Sequence, residues 1–349
     1  MHTDQRPEPA GPVETVLDRG ATAVAHPNIA LIKYWGKRDE RLMIPYADSL
    51  SMTLDVFPTT TSVRLDSSAR ADIVLLDGSP AEGETRQRVV AFLDLVREMA
   101  GRSEPAAVDT RNSVPTGAGL ASSASGFAAL ALAGAASYGL DLNPTALSRL
   151  ARRGSASAAR SIFGGFAVCH AGRGTGVAAD LGSFAEPVPV PDFDPALVIA
   201  LVNAAPKAVS SRAAMRRTVE TSSLYRSWVT SSEVDLSEMR VALRRGDLDA
   251  VGEIAERNAL GMHATMLAAR PAVRYLSPAT VAVLDSVLRL RADGVPAYAT
   301  MDAGPNVKVL CHQTDAARIS ETVRGAVPGC SAIVARRGPG ARLLPVAER

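Results

Sequence analysis

The chain has 349 residues, of which 47% are hydrophobic and 21% charged. This composition excludes a disordered protein, because so apolar a chain buries enough surface to offset its ordering entropy. The length predicts two domains with sizeable cores. The formal charge is only +2 and supplies no general field toward nucleic acid or an anionic membrane, so we predict neither as a partner.

Two features of the sequence indicate where the protein works. Residues 1–19 contain three prolines and lack the apolar core of a signal peptide, so we interpret them as a flexible N-terminal arm. The cysteines Cys169, Cys311 and Cys330 show no C-x-x-C spacing, which is typical of free thiols in a reducing compartment. We therefore predict a cytoplasmic protein.

The first domain is predicted over residues 20–190 and begins with short β-branched or alternating runs that are typical of strands. Strands are predicted at 21–25, 51–57, 60–65, 73–76, 107–110 and 166–169. An apolar stripe at three-and-four spacing predicts a helix over 85–99. A second helix, over 145–152, follows the capping residue Asn143 and the first-turn proline Pro144.

No charged residue occurs between Asn112 and Leu140. The length of this segment would permit a membrane span, but its alanines, glycines and serines supply little transfer energy. We therefore predict a helix that is apolar on all sides and is buried inside a large domain.

A proline-rich segment over residues 186–195 is interpreted as the domain boundary, and the second domain is predicted over 191–349. Beyond the boundary the order is a strand, two or three long helices, two strands, a helix and a strand. These strands are predicted at 197–203, 297–302, 307–312 and 331–335. This order favours a ferredoxin-like α+β layer, with helices on one face of an antiparallel sheet.

A glycine-rich turn directly precedes the uncharged helix: Pro115-Thr116-Gly117-Ala118-Gly119-Leu120-Ala121-Ser122-Ser123. Glycines let a phosphate approach the backbone, and the helix start offers unpaired N–H groups to it. Ser122 and Ser123 add hydroxyls for phosphate oxygens or Mg²⁺. The turn lacks the lysine of a Walker A loop and the third glycine of a dinucleotide fingerprint. Taken alone, it is equally compatible with close helix packing.

Lysine is rare in this chain, and its four positions are Lys33, Lys37, Lys207 and Lys308. Two of them lie in the run Asn28-Ile-Ala-Leu-Ile-Lys-Tyr-Trp-Gly-Lys37. A lysine beside aromatic residues can hold a partly desolvated cation against a phosphate or carboxylate. Alternatively, these lysines extend from a strand end toward water.

Two further segments carry candidate polar groups. In Arg153-Gly154-Ser155-Ala156-Ser157-Ala158-Ala159-Arg160, two hydroxyls and a guanidinium can converge on a phosphate or carboxylate, although Ser155 alone is equally typical of a helix cap. Asp302 precedes the turn Gly304-Pro305-Asn306. Such an aspartate commonly caps its turn; the alternative is a carboxylate that orients or deprotonates a hydroxyl. The histidines show no metal-ligand spacing and are interpreted as structural or exposed.

Together these segments resemble the mevalonate diphosphate decarboxylases, a branch of the GHMP small-molecule kinase superfamily. The similarity extends from about Ala21 to about Ala335. The Lys-Tyr-Trp-Gly-Lys run and the Asp302-Ala-Gly-Pro-Asn306 turn distinguish this branch from the ordinary kinases. The resemblance implies a two-domain GHMP-kinase-like α+β fold, with a ribosomal-protein-like N-terminal domain, a ferredoxin-like C-terminal domain and assembly as a homodimer.

The resemblance also implies a reaction and a role for each matching residue. Mevalonate 5-diphosphate and ATP, with Mg²⁺, would yield isopentenyl diphosphate, ADP, phosphate and CO₂. Asp302, Lys33 and Arg160 would be catalytic. The residues implied to bind substrate are Tyr34, Lys37, Ser155, Ser157, Arg160, Ser211 and Arg212. Those implied to bind the nucleotide are Asn112, Pro115, Gly117, Ala118, Gly119, Leu120, Ala121, Ser122 and Ser123, with Ser123 also as the Mg²⁺ ligand.

Three alternatives stay open at this level. A sister decarboxylase would act on mevalonate monophosphate, and a kinase of the same superfamily would phosphorylate the 3-hydroxyl group and stop there. The third alternative is an RNA-binding protein, because a small-subunit ribosomal protein shares the N-terminal fold. The near-neutral net charge and the uncharged helix disfavour RNA binding.

Overall fold

The structure is a computed structural model that describes residues 20–113, 122–190, 193–202 and 209–345. The predicted N-terminal arm and the glycine-rich turn over 114–121 lie outside the described residues. So does Lys207, and of Ser122 only the backbone is described. Among the described helices, none combines the length and the hydropathy that a membrane span requires.

The first half of the chain forms eleven described strands and five described helices. The strands are β1 (Ala21–Ala25), β2 (Asn28–Ile32), β3 (Lys37–Asp39), β4 (Ile44–Pro45), β5 (Ser49–Thr53), β6 (Thr59–Leu65), β7 (Ile73–Leu76), β8 (Ser79–Pro80), β9 (Ala106–Asn112), β10 (Phe166–Cys169) and β11 (Ala185–Val188). The helices are α1 (Gly83–Ala100), α2 (Ser122–Ser137), α3 (Pro144–Gly154), α4 (Ala158–Ser161) and α5 (Gly176–Gly182).

The elements predicted in this half are present, and the bounds of one strand differ clearly. The helix cap at Asn143 is confirmed, since its side chain accepts a hydrogen bond from the backbone N–H of Ala146 at 2.9 Å. The strand predicted over 51–57 is instead β5, which ends at Thr53. It ends early because Leu54 bridges to Arg337 outside this sheet. The sequence analysis did not predict several short elements, which are β2, β3, β4, β8, β11, α4 and α5.

Two sheets organise the first half. The larger sheet has the order β16-β1-β6-β9-β7-β8, and the smaller one has the order β11-β10-β5-β2. The uncharged helix α2 lies against the larger sheet, where its alanines pack on Ala23, Val63 and Val108. Several of these alanines are fully buried, so small side chains let the helix approach the strands closely. The prediction of a helix buried on all sides is confirmed.

The second half follows the predicted order. Its strands are β12 (Ala196–Leu201), β13 (Ala297–Met301), β14 (Val307–Cys311), β15 (Ser331–Ala335) and β16 (Arg342–Leu343). Its helices are α6 (Ser211–Thr221), α7 (Tyr225–Arg245), α8 (Leu248–Leu267), α9 (Pro278–Ala292) and α10 (Ala316–Ala326). The strands β13-β14-β12-β15 form one antiparallel sheet, and β16 pairs instead with β1.

The sequence predicts helices on one face of the β13-β14-β12-β15 sheet, but helices cover both of its faces. The reason is that alternate residues of β12 face different cores. Val198 packs with residues of α9 and α10. Leu197 and Ile199 pack with residues of α7 and α8 and with Ile29 and Leu50 of the first half. This shared core holds the end of β2 close to the end of β13. The exact domain boundary stays a prediction.

Candidate active site

A cavity of about 180 Å³ opens where residues of the two halves meet. Its walls come from β2 and the loop that follows it, from the starts of α2, α4 and α6, from α8, and from the turn after β13. The lining residues are Asn28, Ala30, Lys33, Tyr34, Trp35, Ser123, Ser155, Ser157, Arg160, Ser211, Met215, Met262, Asp302 and Ala303. Segments that are far apart in the sequence therefore line one cavity.

The carboxylate of Asp302 is held by two lysines. Lys33 Nζ lies 2.8 Å from Oδ1 and Lys308 Nζ lies 3.1 Å from Oδ2. The lysine side chains are 1% and 2% exposed, whereas that of Asp302 is 33% exposed. The acid is therefore the most accessible member of the trio, and Lys33 lines the cavity beside it. Lys33 is fixed further, since Nζ donates to the carbonyl of Ala30 and its backbone N–H donates to Asn258 Oδ1.

Charges within this trio set its protonation. Burial by itself raises the pKa of a carboxyl, but Lys33 and Lys308 outweigh burial and hold the pKa of Asp302 well below its usual range. Burial lowers the pKa of Lys33 to about 8, although Asp302 opposes this shift. Burial and the charge of Lys33 lower the pKa of His263, next to the trio, to about 4. The site at neutral pH therefore contains one carboxylate, two ammonium groups and a neutral imidazole.

Arg160 occupies a different environment, at a second wall of the same cavity. It is 2% exposed and donates from Nε to Ser51 Oγ at 2.9 Å and from Nη1 to Ser49 Oγ at 2.6 Å. Nε also lies 3.3 Å from Asn28 Oδ1. These partners are neutral, and no carboxylate of the described residues forms an ion pair with Arg160. A buried guanidinium without a counter-charge favours binding of an anionic ligand.

Hydroxyl groups line the wall beside Arg160. Ser155 Oγ lies 3.2 Å from Ser157 Oγ and 3.4 Å from Ser123 Oγ. Tyr34 lines the same cavity, and its buried hydroxyl has no hydrogen-bond partner among the described residues. Burial raises the pKa of Tyr34 far above its ordinary value, so this hydroxyl stays a donor at neutral pH.

Gly36 explains why the aromatic run can turn into the cavity. Its φ of +94° suits glycine, and an added Cβ would lie only 2.1 Å from the hydroxyl of Tyr225. That hydroxyl donates to the carbonyl of Trp35 at 2.7 Å. A glycine at this position thus permits the close contact that fixes the backbone beside Tyr34.

A second cavity, of about 220 Å³, adjoins the first. Its apolar wall includes Val89 and Phe127, its polar wall includes Asn112, and Ser123 lines both cavities. The glycine-rich turn connects β9 to α2, and residues of both of these elements line the second cavity. Among the described residues, no group of three His, Cys, Asp or Glu side chains could hold a metal ion. Ser123 lines both cavities, so its hydroxyl lies at the junction between them.

The structure brings the predicted catalytic residues and several of the predicted binding residues together in the first cavity, but not all of the predicted site residues. Those that line the first cavity are Asp302, Lys33, Arg160, Tyr34, Ser155, Ser157, Ser211 and Ser123. Lys37 instead forms an ion pair with Glu40, and Arg212 pairs with Glu84 at 2.8 Å. Neither Lys37 nor Arg212 is among the residues that line the first cavity. Pro115, Gly117, Ala118, Gly119, Leu120 and Ala121 lie outside the described residues, as does the side chain of Ser122.

Sequence reasoning missed several residues that build the site: Asn28, Ser49, Ser51, Asn258, His263 and Lys308. One signal was available for Lys308, which is one of four lysines and interrupts the apolar strand β14. Asn28 stood in the run that was singled out, yet nothing in its spacing predicts its contact with Arg160. His263 was interpreted as structural or exposed, and the structure places it buried beside Asp302.

Comparisons with known proteins agree with this geometry. Residues 25–181 match the diphosphomevalonate decarboxylase-like N-terminal domain, and residues 197–338 match the mevalonate 5-diphosphate decarboxylase C-terminal domain. A phosphomevalonate decarboxylase of Haloferax volcanii is 34% identical over 87% of this chain and 91% of its own.

Two solved structures are also similar. One, titled for the ATP binding mechanism of the mevalonate diphosphate decarboxylase from Enterococcus faecalis, is 44% identical with a TM-score of 0.87 and covers 94% of this chain and 99% of that chain. The other, titled MDDEF in complex with MVAPP, AMPPCP and magnesium, is 44% identical with a TM-score of 0.88 and the same coverage. The predicted two-domain GHMP-kinase-like α+β fold is thus confirmed, and the chain belongs to the diphosphomevalonate decarboxylase family.

Proposed function

We propose that this chain catalyses the ATP-dependent decarboxylation of mevalonate 5-diphosphate to isopentenyl diphosphate, with release of ADP, phosphate and CO₂. The observation that carries the proposal is that Asp302, Lys33 and Arg160 face a single cavity. This cavity supplies a carboxylate for a hydroxyl group and a buried cation for a carboxylate, the two functional groups at the reacting end of the substrate. The product class places the enzyme in isoprenoid biosynthesis.

The two walls of the cavity suit the two ends of the reacting centre. Arg160 would bind the substrate carboxylate, because its described partners leave the guanidinium without a counter-ion. Asp302 would accept a hydrogen bond from the tertiary hydroxyl and orient its oxygen for attack. Lys33, buried beside that carboxylate, would stabilise the negative charge that develops during transfer.

The diphosphate is assigned to the hydroxyl-lined wall. Tyr34, Ser155, Ser157 and Ser211 line it, and hydroxyl groups donate hydrogen bonds to phosphate oxygens. Lys37 and Arg212, which the resemblance also implies, are ion-paired in this structure. We propose that they exchange these carboxylates for the diphosphate when the substrate binds.

The nucleotide is assigned to the second cavity, with its phosphates directed toward Ser123. An apolar pocket beside Asn112 and Phe127 suits an adenine ring, and Ser123 connects this pocket to the reacting centre. Among the described residues, the hydroxyl of Ser123 at the junction of the two cavities would be a ligand for the Mg²⁺ ion that accompanies the phosphates. When bound, ATP with Mg²⁺ supplies the phosphoryl group.

The sequence of steps follows from these placements. Asp302 would orient the tertiary hydroxyl, whose oxygen bonds to the terminal phosphorus of ATP as the bond from that phosphorus to ADP breaks. The hydroxyl proton passes by way of the Asp302 carboxylate to solvent, and a poor leaving group becomes a good one. The carbon–oxygen bond to phosphate then breaks, and the carbon–carbon bond to the carboxylate breaks with loss of CO₂. The electron pair of that bond forms the alkene. Arg160 holds the carboxylate so that its carbon–carbon bond stays aligned with the departing phosphate.

A decarboxylase of mevalonate monophosphate is the second candidate, and a specific observation favours it: a relative 34% identical over most of the chain is a phosphomevalonate decarboxylase. The experiment is to supply mevalonate monophosphate or diphosphate with ATP and Mg²⁺ and to measure CO₂ and ADP together. We expect equal amounts of both, with the higher kcat/KM for the diphosphate. ADP without CO₂ would indicate a 3-hydroxyl kinase, and a preference for the monophosphate would reassign the substrate.

Cytoplasmic location, which the sequence predicts, and assembly as a homodimer, which the resemblance implies, remain predictions. Burial of Cys169, Cys311 and Cys330 as free thiols is compatible with a reducing compartment. Light scattering from the purified chain tests the assembly, since the homodimer has twice the chain mass of 36.4 kDa.

A further inference from the structure

Lys308 has no assigned role in the reaction, yet it is among the largest fully buried side chains. It stands in β14 directly across from Thr300 of β13 and from Ile199 of β12. An ammonium group in the middle of a central strand costs free energy unless it has a strong partner. Its partner is Asp302 Oδ2, at 3.1 Å.

The two oxygens of Asp302 are therefore held from two directions. Lys33, at the end of β2, contacts Oδ1, and Lys308, from β14, contacts Oδ2. With one lysine, the carboxylate could rotate about its side-chain torsions. Because Lys33 follows β2 and Lys308 lies in β14, the two lysines together fix the plane of the carboxylate.

We propose that Lys308 is a positioning residue of the decarboxylase reaction, which acts with Lys33 to orient Asp302 toward the substrate hydroxyl and to keep it ionised. This inference rests on the proposed function, since Asp302 needs a hydroxyl to orient. The charged and titratable groups that surround the trio are His263 of α8 and Arg160 of α4. Neither contributes a negative charge, so Asp302 is the counter-ion of both lysines among the described residues.

The arrangement makes a prediction with a definite sign. The positive charge of Lys308 disfavours the protonated form of Lys33, so removing it as Lys308→Met raises the pKa of Lys33 from about 8. Removing it also raises the pKa of Asp302, because an ammonium that favours its ionised form is lost. The alkaline limb of the pH–rate profile, which deprotonation of Lys33 sets, should therefore move to higher pH, a change that a purely structural role would not produce.

The first experiment measures the pKa of Lys33 directly and does not depend on catalytic turnover. Because the chain has only four lysines, lysine labelled with ¹³C at Cε gives few NMR signals, and Lys33→Met identifies the signal of interest. In the wild type this signal should titrate near pH 8, and in Lys308→Met its midpoint should be higher. An unchanged or lower midpoint would overturn the proposal.

The second experiment measures CO₂ release. Lys308→Met should lower kcat by about 10- to 100-fold, while the KM for ATP changes little. Lys308→Arg keeps the positive charge, so it should recover part of the lost kcat and show the alkaline limb at the wild-type pH. Thr300→Val, directly opposite on β13, is the uncharged control and should behave as the wild type. A Lys308→Met enzyme with wild-type kcat would contradict the proposal.

Two outcomes separate this proposal from the reaction on which it rests. If the wild type releases no CO₂, the proposed function fails, whereas the NMR titration still tests the coupling of Lys308 to Lys33. If Lys308→Met does not fold, the proposal is tested by the pH–rate profile of Lys308→Arg. The alkaline limb of this profile should lie at the wild-type pH. A shift of the alkaline limb of the pH–rate profile in Lys308→Arg would overturn the proposal.

Discussion

The two walls of the cavity solve the problem of a buried charge in opposite ways. At one wall, Asp302 is neutralised by Lys33 and Lys308 within 3.1 Å, so the charges are satisfied before any ligand arrives. At the other wall, Arg160 is as deeply buried as the two lysines but is surrounded by the hydroxyls of Ser49 and Ser51. The first wall is arranged to act on a neutral hydroxyl, and the second to receive an anion.

This difference teaches that burial alone does not indicate the role of a charged residue. A charge whose partners lie in the protein is pre-oriented, and its removal should affect mainly kcat. A charge whose counter-ion is missing gains that counter-ion from the ligand, and its removal should affect binding as well. The contrast can be tested by removing each charge in turn.

The largest effect is expected for Asp302→Asn, which keeps the shape of the side chain and removes its negative charge. We expect kcat to fall by about 1,000-fold or more, because an oriented carboxylate contributes on this scale, while ATP affinity stays near the wild-type value. Coupled assays of CO₂ and ADP, with nucleotide titration, measure both. Asp285→Asn, on an exposed position of α9, is the control. Substantial turnover by Asp302→Asn would remove this acid from its role.

A smaller effect is expected for Arg160→Met, in which the buried cation is lost. We expect kcat/KM for the substrate to fall by about 100-fold, or roughly 3 kcal/mol, which is the scale of a hydrogen bond to a charged group, with a clear rise in KM. Arg160→Lys should recover only part of this loss, since the ammonium cannot replace the planar guanidinium. If KM for the substrate stayed unchanged in both variants, the contrast between the two walls would be wrong.

The smallest effect is expected at a charge cluster outside the cavity. His170 Nδ1 lies 3.1 Å from Asp48 and Nε2 lies 3.0 Å from Glu186, and hydrogen bonding to Asp48 is the main cause that raises the pKa of His170. A histidine with a raised pKa stabilises the fold at pH values below its pKa in the unfolded chain, which is about 6.5. This stabilisation disappears as the pH rises through the pKa of the histidine in the folded protein.

His170→Gln should therefore lower the free energy of unfolding by about 1 kcal/mol at about pH 5.5 and by less at about pH 9, since the cluster is partly exposed. Urea denaturation at the two pH values measures the difference, and the exposed His312→Gln is the control. An equal loss at both pH values would mean that packing, and not charge, accounts for the role of His170.

Local sequence patterns were sufficient to predict much of the fold. Alternation placed β6 and β7, an apolar stripe placed α1, and Asn143 with Pro144 marked the start of α3. These features depend on residues close together in the chain, so short-range periodicity and capping chemistry determine them. β5 ends earlier than predicted because Leu54 pairs with Arg337, almost 300 residues away, a contact that no local pattern contains.

The same division applies to the site. Rare residue types and short motifs identified Asp302, Lys33, Arg160 and the serines as candidates, and the family resemblance implied their roles. Only the tertiary structure decided that Lys308 and Lys33 share one carboxylate and that Arg160 has neutral partners. The physical reason is that the environment of a charge depends on groups brought together by packing of β2, β13, β14 and α4, and the energy of a buried charge is set by those neighbours and not by its own sequence.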